Sequence, residues 1–148
     1  MPTPSRYYSQ PPYKVRKTVA FDGTSGNGAT GTVGLFTITG EVMVAFLVPF
    51  CTEDLVEGGA TATMSLGVTG NVALFIAASE PEDFEVGEFW VAVAPADVGG
   101  VALAAALQDI LVSADILLTI ANDSVDDGTL EVTCYWWPLS DDGSVVAA

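Results

Sequence analysis

The sequence predicts an all-β fold: an antiparallel, jelly-roll-like β-sandwich carrying an extended N-terminal arm. Three observations predict it. About eight short runs of β-branched, aliphatic and aromatic residues are punctuated by Gly, Pro, Asn and Asp, the pattern of short strands joined by turns. No stretch between those runs offers the helix that a parallel α/β crossover needs. Half of the residues are hydrophobic and only 16% are charged, which supplies a packed core and argues against disorder. A chain of 148 residues fits one domain, divided into an arm over 1–17 and a sandwich over 18–148.

The arm reads MPTPSRYYSQPPYKVRK. Pro2, Pro4, Pro11 and Pro12 lack amide donors and favour an extended path, with a reach of roughly 50 Å at the rise of an extended chain. Val33–Thr39 and Val42–Phe50 are strand-like runs separated by Gly40-Glu41, a hairpin signal. Residues Thr61–Val68 alternate, with Ala62, Met64, Leu66 and Val68 on one side, as a half-buried strand does. Gly70-Asn71 turns the chain into a strand over Val72–Ala77, and an acidic loop follows from Ser79 to Glu88. Phe89–Val93 is a further strand, ended by Pro95, and Val101–Leu107 is the one segment with helical propensity. Asp109–Ser113 and Asp115–Ala121 are aliphatic strands, Asn122–Gly128 is a turn, and Thr129–Trp137 is the last long strand. The tail Ser140–Ala148 is weakly structured by composition.

Charge is distributed unevenly. The four basic residues, Arg6, Lys14, Arg16 and Lys17, all fall in the arm, and all 19 acidic residues fall in the body. An arm so charged is complementary to an acidic surface, either a neighbouring copy or a partner. Tyr7, Tyr8 and Tyr13 interleave with the cations, and Tyr and Arg dominate interface energetics. The expected partner-binding set is therefore Arg6, Tyr7, Tyr8, Tyr13, Lys14, Arg16 and Lys17. A net charge of −15 repels phosphate backbones, so no nucleic-acid partner is expected. Neither a secretory leader nor a membrane-crossing helix is legible, because the most apolar windows are short or interrupted by Glu41, Asp109 and Asp115. Cys51 and Cys134 read as two buried thiols; a bridge between them requires adjacent strands.

Catalytic chemistry has little to draw on. The chain contains no His, so Ser-His and Cys-His nucleophiles are excluded. Asp22–Gly34 is Gly-rich but lacks the Lys of a phosphate loop. Paired carboxylates remain the one acid–base option; among so many acids any single pair is uninformative. No cofactor is expected and no metal site is assigned. Calcium on Asp123, Asp126 and Asp127 is the option of lower rank, against a solvated acidic loop. Trp90, Tyr135 and Trp137 are candidate interface aromatics. Trp136 and Trp137 must point to opposite sides of a strand, so one of them belongs to the core.

Several stretches resemble small β-rich proteins encoded among the head genes of tailed bacteriophages and prophages. They are GTVGLFTITGEVMV (Gly31–Val44), Cys51-Thr52-Glu53-Asp54-Leu55, VGEFW (Val86–Trp90), ILVSADILLTI (Ile110–Ile120) and the ending from Tyr135 to Ala148. The resemblance implies a non-enzymatic capsid decoration, or cement, protein. It implies a homotrimer on the major capsid protein at the virion exterior, assembled in the host cytoplasm. The rival expectations are a receptor- or glycan-binding module of a phage fibre, a neck or tail component, and a carboxylate-based hydrolase.

Overall fold

A computed structural model of the chain describes residues 12–95 and 99–148. Its strands are β1 (Tyr13–Ala20), β2 (Gly31–Thr39), β3 (Val42–Glu57), β4 (Thr63–Val68), β5 (Asn71–Ser79), β6 (Gln108–Val112), β7 (Ile116–Ala121), β8 (Val125–Pro138) and β9 (Ser144–Ala147). Two antiparallel sheets face each other, a four-stranded one in the order β1-β8-β3-β6 and a five-stranded one in the order β5-β4-β7-β2-β9. Strand β1 pairs with β8, β2 with β7, β3 with β6 and β4 with β5. That nesting is what a long antiparallel ribbon gives when it is rolled up, so the sandwich is a jelly roll with β9 added at the edge beside β2. The predicted all-β sandwich is the fold observed.

The core lies between the sheets. From the four-stranded side it receives Val44, Leu47, Cys51, Leu130, Val132 and Cys134, and from the other side Val33, Leu35, Met64, Leu66, Leu118 and Ile120. Alternation along each strand puts these side chains inward. Trp90 closes one end of the sandwich: it is 1% exposed, and its Nε1 donates to Ser79 Oγ at 2.9 Å.

Several expectations are corrected. The runs either side of Gly40-Glu41 do not form a hairpin; β2 and β3 lie in opposite sheets. Both bury an apolar side, and that pattern is satisfied equally by strands paired side by side and by strands facing one another across a core. Gly40 makes the crossing, at φ +63 and with Ser140 Oγ and Asp142 Oδ1 where a Cβ would sit. The step between β6 and β7 crosses in the same way. Phe89–Val93 is not a strand; only Phe89 forms a single bridge, to Phe50. The helical propensity of Val101–Leu107 yields one 3-10 turn at Ala105–Leu107. The C-terminal tail is not loose: Ser144–Ala147 pairs with Phe36–Thr39 and buries Val145.

The arm boundary also moves. Tyr13 already pairs with Trp136, and the register runs through Ala20↔Thr129, so the sandwich begins at residue 13 rather than 18. Residues Lys14, Arg16 and Thr18 point outward while Val15, Lys17 and Val19 turn inward. The cations hid a strand pattern of period two.

Candidate functional site

The outer side of the four-stranded sheet gathers two of the predicted partner-binding residues, Lys14 and Arg16, beside the predicted interface aromatic Tyr135. Lys14 lies opposite Tyr135, Arg16 opposite Thr133 and Thr18 opposite Glu131. On the other side of β8, Phe46 lies opposite Tyr135, Val48 opposite Thr133 and Phe50 opposite Glu131. A bulge between Val44 and Phe46 sets this register. The extra residue, Ala45, lets Val44 stay in the core while Phe46, Val48 and Phe50 all come to the outer side.

Strand β3 outruns β6, and an irregular segment covers its remaining edge. Cys51 N–H donates to Glu88 O at 2.8 Å, Gly87 N–H to Cys51 O at 2.8 Å and Trp90 N–H to Pro49 O at 3.1 Å. These bonds hold Phe89 against Phe50, ring centroids 4.9 Å apart. Phe46 meets Tyr135 edge-on at 5.9 Å. The result is a cleft of about 290 Å³ lined by Arg16, Val48, Phe50, Phe89, Glu131, Thr133 and Tyr135. Arg16 forms its rim, with an Nη1 3.2 Å from Glu131 Oε1 and Nε donating to Thr133 Oγ1 at 3.3 Å. Aromatic walls and an oriented guanidinium suit a protein side chain or a flat ligand. Glu131 is held by Arg16, and no lining side chain pairs a nucleophile with a general base.

The remaining predicted residues fall elsewhere. Lys17 turns to the other side of β1, where its Nζ donates to the Ala148 main-chain oxygen. Tyr13 is half exposed and stacks on Trp136 at 4.9 Å. Trp137 is on the outer side but buried, and Trp136 faces the core. The expectation that Trp90 is an interface aromatic is corrected, because it belongs to the core. Arg6, Tyr7 and Tyr8 lie outside the described residues.

The acidic candidates do not converge. Asp123 accepts from Ser124 N–H, Asp126 from Ser124 Oγ and Asp127 from Gly128 N–H. Among the described residues no group of three or more His, Cys, Asp or Glu is placed to hold a metal. Cys51 and Cys134 are free and buried. They sit on adjacent strands but opposite Leu130 and Leu47 respectively, too far apart in register for a bridge. Burial pushes the Cys134 thiol up to about 12. Burial, followed by the nearby Asp54 and Glu88 charges, raises Cys51 to about 11 against the lowering effect of its hydrogen bonds.

Sequence reasoning missed Phe46, Val48, Phe50 and Phe89. The signal was present: Val42–Phe50 is apolar on both alternating sides, which in a strand means that both sides are covered.

Comparison with protein-family models, with curated proteins and with solved structures finds no match to the chain.

Proposed function

We propose that the protein is a non-enzymatic structural component of a tailed-phage head. It is a capsid decoration protein that binds as a trimer on the outer surface of the major capsid protein and reinforces the shell. The observation that carries this reading is the aromatic cleft on the four-stranded sheet, rimmed by Arg16 and flanked by Lys14 on an otherwise acidic molecule. Such a surface fits an acidic protein patch that offers an apolar side chain to Phe50, Phe89 and Tyr135, with the β1 cations giving orientation. The sequence resemblance to phage head proteins supplies the identity of that partner. An acidic exterior keeps decorated particles apart in solution.

The test is co-sedimentation with capsid shells assembled without this protein. Wild type is expected to pellet with the shells. Arg16→Glu and Tyr135→Ala are expected to weaken that association about tenfold or more, as loss of an interface anchor does. Wild type left in the supernatant sinks the proposal, and so do variants that bind as well as wild type. A second reading, a glycan-binding module of a fibre, draws on the same aromatic walls. It predicts saccharide binding in the absence of shells, lost in Tyr135→Ala.

A further inference from the structure

Rolling the chain into two sheets sorts its charges. Strands β2, β4, β5, β7 and β9 contain none of the 4 basic and 19 acidic residues. The four-stranded sheet, in contrast, holds Lys14, Arg16, Lys17, Glu53, Asp54, Glu57, Asp109, Asp126, Asp127 and Glu131. An antiparallel sheet with one side in water ordinarily alternates apolar-in with polar-out, charges included. Here the outward positions are filled by Thr, Ser, Gly, Ala, Leu and Val. One row crosses the middle of the sheet as Thr32, Thr119 and Ser65 in direct register. Towards the β9 edge, Thr37 lies opposite the half-exposed Val146.

One further observation bears on what meets this surface. The edges, β5 and β9, carry no Lys, Glu or Asp, although soluble proteins blunt exposed edge strands with charge to stop them pairing with other chains.

We infer that the outer side of the five-stranded sheet is the surface through which a second copy of this chain docks. The occupant follows from the charge. A molecule of net charge −15 repels its own copies wherever its carboxylates face one another, and like-charge juxtaposition across an interface is costly. A surface without ions escapes that repulsion. A partner of opposite charge gains nothing there and gains most on the acidic remainder of the molecule. Interface centres are in general depleted in charge. The inference rests on the self-association in the proposed function and adds the surface that carries it.

The experiment is light scattering during size exclusion on the full chain, with no shell present. Wild type is expected at a multiple of 15.3 kDa, held or strengthened in high salt because screening weakens the repulsion between acidic bodies. Thr32→Glu and Val146→Glu place a carboxylate on exposed positions of the surface and are expected to run as monomers with unchanged circular dichroism. Lys14→Glu, on the other sheet, is expected to keep the wild-type mass. A monomeric wild type overturns the inference, as does an oligomer that survives both substitutions. Dissociation by salt also overturns it, since that would assign the contact to ion pairs. Loss of shell binding with an intact, substitution-sensitive oligomer would remove the capsid reading and leave this one standing.

Discussion

Trp90 and the two thiols test the packing at single residues. Replacing Trp90 by Ala removes the largest fully buried side chain and is expected to cost about 3–5 kcal/mol in urea unfolding. Trp90→Phe keeps much of the volume but loses the bond to Ser79, so its cost should be well below that of Ala. Equal costs would mean that volume at this end of the sandwich does not matter. Cys51 and Cys134 are expected to resist a thiol reagent at pH 8 in the native protein and to react fully in denaturant. Their folded pKa values, about 11 and about 12, stand above the ordinary thiol value of 9.0. Their contribution to stability is therefore complete below about pH 9 and is lost as the pH climbs through 11 to 12. A thermal midpoint that holds steady across that window would contradict the assignment. Trp90 was not legible as core because its burial depends on hydrogen bonds to β3, some forty residues earlier, which no local pattern announces.

Among the elements, strands were easier to recognise than their partners. The alternation of Thr61–Val68 and Thr129–Trp137 reports which side is buried, and both became strands; β8, however, starts at Val125, inside the Asn122–Gly128 segment read as a turn. Alternation is silent about whether the next strand lies beside or opposite, which is why Gly40-Glu41 read as a hairpin turn. Short β9 carries too few residues for a periodic signal; its pairing is conferred by the open edge of β2. The candidate cleft was half legible: the cations and Tyr135 stood out by type, whereas the aromatic wall needed the β3 bulge to set its direction. Two glycines, one within β8 and one in the loop between β1 and β2, give an element-scale test. Gly128 has φ +100, with Asp54 O 2.3 Å from where a Cβ would lie, whereas Gly26, at φ +79, has nothing within 4 Å. Gly128→Ala should lose clearly more than the roughly 1–2 kcal/mol of backbone strain expected for Gly26→Ala. Equal losses would show that β8 can shift away from β3 at little cost.

At the scale of the whole molecule, acids outnumber bases 19 to 4, so self-repulsion opposes the folded state at neutral pH. Added sodium chloride is expected to raise the thermal midpoint by screening that repulsion. A midpoint that falls with salt would mean that attractive pairs such as Arg16–Glu131 outweigh it. The two sheets then divide the labour: one bears every charged strand residue and the cleft, the other none.

The nesting of the strands also governs when the molecule comes into being. Arg16 and its partner Thr133 are 117 residues apart in sequence, and β1 has no sheet to join until β8 exists. Contacts so distant along the chain slow folding, because a large loop must close before they form. On a ribosome, the first strand made must wait, unpaired, until residue 138 has emerged. The cation-bearing strand and its cleft thus form only near the end of synthesis, with β9 alone left to add. A partially synthesised chain has no cleft with which to compete for a binding position, so the topology itself acts as a timing check on the finished molecule.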